Sequence, residues 1–363
     1  MNRLRKRVLL ISVFCLLVVL AGGCFFYKEY HLMETKQSKQ TETDTTSSRQ
    51  ETIDQIINDS HFKGTVLLID QQTKFYEKSY GYADVNNKYP NKIEGIFPIA
   101  SLQKIITGAI ILTLVKDGKL ELDATLDKFY PQIDFSQTIT IQQLLDHRSG
   151  ISMAEEAPKQ LLINEESQLE NALDTLTVTH NKEFDYTNGN YTLLAGIIAQ
   201  ITGQSYEMVV KKWVIDPLSL TQTYFWDQLP TDEITPQPYF YTGQDYQDDP
   251  YPASKKLFSS LLGAGNLYMS AEDFWLVIQG LADGRLFQQR EYEQLADIDQ
   301  EGYRAGLIYF DDLKYSQGSL GGYETAVYGD QDNQKLVILF ANQPAFDGMR
   351  KLSEKLYEYL SQI

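Results

Sequence analysis

The sequence predicts an α+β fold: an antiparallel sheet flanked by helices, with an additional helical lobe. Two strand-like segments lie near the start of the body, at 64–70 and 74–84, and several more lie between 303 and 343, near its end. Helical segments occupy the sequence between them. Strands at both ends with helices between indicate one unit whose sheet is closed by both termini of the body.

The first strands are predicted at 64–70 (GTVLLID) and 74–84 (KFYEKSYGYAD), the second ending in a turn. Residues 105–115 are apolar nearly all round, which is typical of a buried helix, and Gly118 ends this helix. A short helix capped by Thr140 follows in TIQQLLDH.

The second half of the body begins with a predicted helix in YTLLAGIIAQITG, which places apolar side chains on one face and ends at Gly203. Three consecutive antiparallel strands are predicted at 303–310 (YRAGLIYF), 325–330 (TAVYGD) and 335–343 (KLVILFANQ). A last helix carries apolar residues at helical spacing: Met349, Leu352, Leu356, Leu360 and Ile363.

A basic segment, 1–7, precedes an apolar run at 8–27 that is long enough to span a bilayer as a helix. Basic residues before such a helix stay cytoplasmic, which places the rest of the chain outside the cell. We expect an uncleaved single-pass anchor, because the apolar run continues past Cys24. A lipid anchor on Cys24, which follows a loose lipobox, and a cleaved secretory signal are the alternatives.

Residues 28–50 are predicted to be a flexible linker, since 34–50 contain no apolar side chain that could repay the entropy of ordering. The linker leads to a body at 51–363, which is predicted to fold as one domain. The predicted location is therefore the cell membrane, with this domain extracellular.

The chain has 363 residues, 32 basic and 49 acidic side chains and a net charge of −17, and 43% of its residues are hydrophobic. These proportions are typical of a globular protein. An acidic body lacks the clustered cations that phosphate binding needs, so no nucleic-acid partner is expected. The only cysteines, Cys15 and Cys24, lie in the apolar N-terminal run, and no HExxH motif or Cys/His cluster suggests a transition metal.

Ser101 and Lys104, in the segment SLQK, form the first candidate catalytic pair. A serine at a helix N-terminus can expose its Oγ while free backbone N–H groups point at an incoming oxyanion. Lys104 shares the helix face of Ser101, and burial should disfavour its ammonium form, so that a neutral amine accepts the serine proton. A second S-x-x-K match, at 60–63, precedes a strand instead of opening a helix, and we set it aside.

Tyr186 and Asn188, in the segment YTN, form the second candidate pair. A tyrosine near a lysine can share a proton with it, acting first as general base and then as acid to the leaving group. Asn188 could hold a substrate carbonyl or the lysine. A similar Y-x-N match, at 89–91, lies in a predicted turn.

Together these motifs resemble the serine β-lactamase-related family, which includes class C β-lactamases, low-molecular-weight penicillin-binding proteins and their esterase relatives. The similarity covers about 51–363, and five colinear segments carry it: FPIASLQKIITG, GKLELDATLDKFYP, ITIQQLLDHRSGI, FDYTNGNYTLLAGII and GAGNLYMSAEDF. The resemblance implies a β-lactamase/penicillin-binding-protein-like fold, an active site between its lobes, and acyl transfer to water without a cofactor. It implies a structural role for His147.

The family's third motif is a strand carrying Lys or His, a small residue and Gly, and its best match here is Ser316-Gln317-Gly318. The resemblance implies that the backbone N–H of Ser319 completes an oxyanion hole with that of Ser101. The family's cation helps to hold a substrate carboxylate, and Ser316 replaces that cation here. Lys314, two residues back on the same strand face, could partly substitute.

This replacement bears on the substrate. β-Lactams and peptides ending in D-Ala-D-Ala present a carboxylate, and losing a charge-assisted contact to it costs roughly 1.5–3 kcal/mol. D-Alanine esters of teichoic acid, which some esterases of the family hydrolyse, carry an ammonium group instead. The loop at 239–251, with Asp245, Asp248, Asp249 and several tyrosines, could hold such a cation, or it could be a solvated surface loop.

We therefore expect a membrane-tethered extracellular serine hydrolase that acts on a cell-wall polymer, either as a D-alanyl esterase or as a D,D-peptidase. The alternatives are a generic esterase or weak β-lactamase, and a non-catalytic wall-binding or sensor protein with the same fold. The expected roles are catalytic for Ser101, Lys104 and Tyr186, and substrate-binding for Asn188, Ser316, Gly318 and Ser319.

Overall fold

The computed structural model describes residues 48–231, 233–248 and 254–362. The chain divides into two compact units, Met1–Gln55 and Ile56–Ile363. The predicted membrane segment at 8–27, the possible lipidation site Cys24 and the linker up to residue 47 lie outside the described residues. Residues 48–50, predicted to end the linker, are helical. No helix in the described part of the chain is long and apolar enough to cross a membrane.

The β structure consists of one large sheet and several short pairings. The strands, in chain order, are β1 (Lys63–Asp70), β2 (Thr73–Tyr80), β3 (Tyr82–Asp84), β4 (Tyr89–Pro90), β5 (Phe97–Pro98), β6 (Ile151–Met153), β7 (Leu176–Val178), β8 (Thr223–Phe225), β9 (Tyr239–Phe240), β10 (Gln247–Asp248), β11 (Leu267–Met269), β12 (Gly302–Arg304), β13 (Leu307–Phe310), β14 (Leu313–Leu320), β15 (Tyr323–Asp330) and β16 (Lys335–Gln343). Among the described residues, seven of them form the large antiparallel sheet, in the order β12-β13-β14-β15-β16-β1-β2.

The two ends of the body meet inside this sheet, where β1 pairs with β16 and Leu67 lies opposite Ile338. Both strands are buried along almost their whole length. Because side chains alternate between the faces of a strand, such strands must be covered on both sides. Leu67 and Ile338 belong to the main hydrophobic core, and the closing of the sheet by both ends of the body confirms the predicted α+β class.

Helices cover the sheet and build the helical lobe. In chain order they are α1 (48–59), α2 (Gln103–Lys116), α3 (Ile141–Leu145), α4 (Glu165–Thr175), α5 (Asn188–Thr202), α6 (Tyr206–Val210), α7 (Asp216–Leu218), α8 (Lys255–Phe258), α9 (Ala271–Gly280), α10 (Gln289–Ala296) and α11 (Met349–Gln362). α9 packs on β1 and β16, α11 packs on β15 and β16, and α2 packs against α5.

The caps predicted for two of these helices are present. Thr140 accepts a hydrogen bond from the backbone of Gln143 at the start of α3. α5 ends at Gly203, which has a left-handed φ of +66°. α5 begins earlier than its apolar pattern shows, because Thr187 caps the helix by accepting from the backbone N–H of Gly189.

Tight turns divide two segments that were predicted to be continuous strands. The segment at 303–310 is a hairpin whose turn residues, Ala305 and Gly306, have φ of +46° and +102°. A Cβ at position 306 would lie 2.5 Å from the backbone nitrogen of Ile105, so the hairpin can approach α2 only with glycine there. Gly81, with φ of +71°, similarly separates β2 from β3.

Candidate active site

Ser101 lies in a 3₁₀ turn, Ala100–Leu102, that leads directly into α2. The residue before it, Ala100, has a φ of +47°, a conformation that alanine rarely adopts. This turn places Ser101 at the edge of a pocket while its neighbours Ala100 and Leu102 are buried. The backbone N–H of Ser101 belongs to the first turn of the helix, where N–H groups have no intrahelical acceptor and can receive an oxyanion.

Lys104 is fully buried beneath Ser101. Its Nζ lies 3.0 Å from Ser101 Oγ, 2.7 Å from Asn188 Oδ1 and 3.0 Å from the carbonyl oxygen of Ala264. Desolvation lowers the pKa of Lys104 to about 7. In the neutral amine the two N–H groups can be donated to Asn188 and Ala264, which leaves the lone pair for the hydroxyl proton of Ser101.

Tyr186 comes from the loop before α5, and its hydroxyl donates to Ser101 Oγ at 2.7 Å. Lys104 Nζ lies 4.9 Å from the centre of the Tyr186 ring, and Tyr186 as a residue is 38% exposed. Desolvation raises the pKa of Tyr186, and the charge of Glu155 raises it further. The phenol therefore stays protonated at neutral pH, so Lys104 is the better base and Tyr186 the better proton donor to a leaving group.

Asn188, the first residue of α5, is 7% exposed and reaches both Lys104 and the pocket. Because Thr187 fixes the start of α5, the Asn188 side chain is held at the helix N-terminus, facing Lys104. Its amide oxygen is the acceptor for the lysine, and its position in the pocket wall allows contact with a bound substrate.

β14 passes directly over the turn that carries Ser101. A Cβ at Gly318 would lie 2.3 Å from the carbonyl oxygen of Ile99 and 3.0 Å from the Cβ of Ala100. From the neighbouring strand, Thr325 Oγ1 also donates to the carbonyl of Ile99, at 2.9 Å. Glycine at 318 is therefore required for close packing of the strand, and Gly318 does not itself line the pocket.

Ser319 follows Gly318 at the end of β14 and does line the pocket. Gly321 and Gly322, with φ of +53° and +85°, form a two-residue turn that makes Leu320 and Tyr323 the hydrogen-bonded pair of the hairpin. In an antiparallel ladder the next pair is not hydrogen-bonded, so the N–H of Ser319 points away from β15. β13 pairs with β14 only as far as Tyr315, so it does not cover this N–H, which suits the oxyanion role.

Ser316 and Lys314 do not contribute a side chain to the pocket. Ser316 is 6% exposed, and its hydroxyl donates to the carbonyl of Gly306 at 2.8 Å. The Lys314 amine donates to the carbonyl of Gln331 at 3.0 Å and lines a separate small cavity. The suggestion that Lys314 replaces the missing cation is therefore wrong, because two residues along a strand displace a side chain by almost 7 Å.

The pocket beside Ser101 has a volume of about 230 Å³. Among the described residues that line it are two exposed carboxylates, Glu155 and Glu156, and no lysine, arginine or histidine. The sequence analysis missed both glutamates. Their only signal was their place in the loop after the LLDHRSG segment, and no spacing rule connects that loop to Ser101.

The loop suggested as a cation site is instead attached to the start of β1 and to β3. Asp245 pairs with Lys63 at 3.2 Å and with His61 at 3.2 Å. The hydroxyl of Tyr246 accepts from the backbone N–H of Tyr82. No described residue of this loop lines the pocket. The structure thus does not place the predicted cation site here, while Asp249 and the residues up to 253 lie outside the described part.

The sequence profile of the beta-lactamase family matches residues 49–358. The penicillin-binding protein PbpX of Bacillus subtilis is 28% identical, over 87% of this chain and 80% of the relative. A teichoic acid D-alanine hydrolase of Staphylococcus aureus is 26% identical, over 80% of this chain and 72% of the relative.

Solved structures share the fold. The crystal structure of FmtA from Staphylococcus aureus superposes with a TM-score of 0.77 at 24% identity, covering 87% of this chain and 89% of that chain. D-Amino acid amidase from Ochrobactrum anthropi superposes with a TM-score of 0.73 at 18% identity, covering 86% and 99%. With its sequence matched from 49 to 358, the chain belongs to the beta-lactamase family and is a serine hydrolase.

Proposed function

We propose that this serine hydrolase removes D-alanyl esters from a cell-wall polymer, with teichoic acid the leading candidate. We further propose that it acts outside a membrane to which residues 8–27 attach it. The observation that carries the choice of substrate is the charge of the pocket: Glu155 and Glu156 line it, and no cation among the described residues does.

The pocket charge favours a substrate whose acyl group bears an ammonium. An exposed charge pair contributes roughly 0.2–1 kcal/mol, attractive toward an ammonium and of similar size but repulsive toward a carboxylate. With two glutamates, the preference for an ammonium over a carboxylate amounts to roughly 0.8–4 kcal/mol, or about fourfold to a thousandfold. β-Lactams and D-Ala-D-Ala peptides end in a carboxylate, whereas a D-alanyl ester does not. The teichoic acid D-alanine hydrolases among the relatives support the same choice.

The residues around Ser101 suit a two-step ester hydrolysis. Ser101 Oγ attacks the ester carbonyl as its proton passes to the neutral Lys104 amine, and the N–H groups of Ser101 and Ser319 receive the oxyanion. The alkoxide leaves with a proton from Tyr186, which regains one from Lys104. Water then attacks the D-alanyl-enzyme along the same proton path, and free D-alanine leaves Ser101 with its proton restored.

The test compares an ester that carries an ammonium with one in which a neutral amide replaces it. The full-length chain is purified in mild detergent and given a chromogenic D-alanyl ester and its N-acetyl counterpart. We expect kcat/KM to be about two- to thirtyfold higher for the free amine, since each glutamate contributes roughly 0.2–1 kcal/mol toward an ammonium and nothing toward a neutral amide. Glu155→Gln with Glu156→Gln should remove this preference, whereas Glu358→Gln, an exposed carboxylate on α11 that does not line the pocket, should preserve it.

Equal rates for both esters, or a preference that survives loss of both glutamates, would overturn the D-alanyl assignment. A D,D-peptidase or weak β-lactamase is the competing function, supported by the similarity to penicillin-binding protein PbpX. Labelling of Ser101 by a fluorescent penicillin as fast as by a fluorescent phosphonate would favour that alternative. Release of D-alanine from purified teichoic acid extends the test to the polymer.

A further inference from the structure

His147 is a fully buried residue that adjoins the catalytic cluster without touching Ser101. It follows α3 with a left-handed φ of +54°. Its ring packs at 4.4 Å from the ring of Tyr186 and at 4.7 Å from that of Tyr303. The sequence analysis gave this histidine a structural role only.

His147 accepts two hydrogen bonds, from the residues immediately before and after Tyr186. The carbonyl oxygen of His147 accepts from the backbone N–H of Asp185 at 2.8 Å. Its ring Nδ1 lies 3.3 Å from the backbone N–H of Thr187, which donates to it. The residues immediately before and after Tyr186 are therefore both held by one residue, whose ring also packs against the tyrosine.

The acceptor role of Nδ1 requires a neutral imidazole. The side chain amide of Asn190 lies 3.1 Å from the same nitrogen, so Nδ1 accepts and Nε2 carries the proton. Burial lowers the pKa of His147 well below its usual value, which favours the neutral ring. Among the described residues Nε2 has no hydrogen-bond partner. A residue that served packing alone would not need a buried, unpaired N–H, which is unfavourable. A neutral histidine that accepts a hydrogen bond at Nδ1 has to carry its proton on Nε2, so the unpaired N–H follows from the acceptor role.

We propose that His147 is a positioning residue for Tyr186, which holds the tyrosine hydroxyl within hydrogen-bonding distance of Ser101 through the Nδ1 acceptor and the packed ring. Displacement of a catalytic group by about 1 Å can lower a rate by on the order of a hundredfold. Loss of the acceptor should therefore appear in turnover and leave substrate binding nearly unchanged.

Two substitutions separate the acceptor from the ring. His147→Phe keeps an aromatic ring and removes the acceptor, whereas His147→Asn keeps an acceptor near the position of Nδ1 and suits the left-handed backbone. Hydrolysis of a chromogenic acetate ester by the full-length chain is the assay, so the test does not depend on the D-alanyl proposal. We expect His147→Phe to lower kcat about ten- to a hundredfold with KM within about twofold, and His147→Asn to recover most of that loss.

A double-mutant cycle with Tyr186→Phe decides whether the effect passes through the tyrosine. In the Tyr186→Phe background, His147→Phe should change kcat by less than about twofold. Labelling of Ser101 by a fluorescent phosphonate whose leaving group is fluoride should continue in His147→Phe at near the normal rate. Fluoride leaves without a proton, so this reaction does not need the hydroxyl of Tyr186. Additive losses in the cycle, a parallel loss of labelling, or equal kcat losses in both His147 variants would each overturn the proposal.

Discussion

Replacing Lys104 by methionine should abolish hydrolysis and change how the stability of the fold depends on pH. Lys104 is fully buried, and desolvation lowers its pKa from 10.5 to about 7. Between those two pH values the unfolded chain carries a protonated lysine and the folded chain a largely neutral one. Folding in this range therefore requires loss of a proton, which destabilises the folded state.

The size of this destabilisation depends on pH in a calculable way. By linkage it is about 4 kcal/mol at pH 7 and about 2 kcal/mol at pH 9, and it disappears above the pKa of the unfolded lysine. Lys104→Met removes it but leaves Asn188 Oδ1 and the carbonyl of Ala264 without their donor, a loss of about 1–3 kcal/mol for each buried group. The lost hydrogen bonds change the stability of the variant by the same amount at every pH. The change of the stability difference with pH therefore reports the lysine pKa alone, and it is the quantity to measure.

Urea unfolding of the full-length chain and the variant, at intervals from pH 7 to pH 9, measures this quantity. We expect the stability of Lys104→Met relative to the unsubstituted chain to decrease by about 2 kcal/mol across that range. Lys128→Met, at an exposed position, controls for the loss of one positive charge. A difference that stays constant from pH 7 to pH 9 would refute a depressed lysine pKa and with it the neutral amine as base.

Three further predictions concern the same cluster. Below about pH 7, kcat/KM for an ester should fall about tenfold per pH unit as Lys104 becomes protonated, and a flat profile from pH 5 to 7 would contradict this. Asn188→Asp places a carboxylate at the position 2.7 Å from the lysine, so this limb of the pH profile should move up by about 1–3 units; an unmoved limb would exclude the coupling. Gly318→Ala should lower stability by about 1–3 kcal/mol in thermal unfolding, because its Cβ would lie 2.3 Å from the carbonyl oxygen of Ile99; an unchanged midpoint would show that the strand can shift.

Local sequence signals accounted for the parts of the site that lie on helices. Ser101 and Lys104 are three residues apart at the start of an apolar helix, which predicts that they share a face. Nothing local connects Tyr186 to them across 85 residues, and the resemblance to a known family supplied that link. The α+β class was also predictable, because strand-like segments at the two ends of the body have few ways to be buried except by pairing.

Side-chain directions and loop positions were not predictable in the same way. Lys314 and Ser316 share a strand face, but the sequence does not show where their side chains end. The amine of Lys314 reaches the turn after β15, whereas the hydroxyl of Ser316 donates to the carbonyl of Gly306. Glu155 and Glu156 reach the pocket because they follow β6, which pairs with the distant β7 and whose last residue, Met153, also lines the pocket. Such placements depend on long-range packing, which leaves no periodic pattern in the sequence.

Mass spectrometry of the chain quenched during turnover tests the central claim most directly, that Ser101 forms a covalent acyl-enzyme with the lysine and tyrosine managing its proton. The full-length chain is mixed with a D-alanyl ester, stopped with acid and digested. The account predicts a D-alanyl adduct on the peptide that contains Ser101, absent from Ser101→Ala and formed far more slowly in Lys104→Met. Turnover of the ester with no adduct at Ser101, or undiminished turnover by Ser101→Ala, would contradict the account.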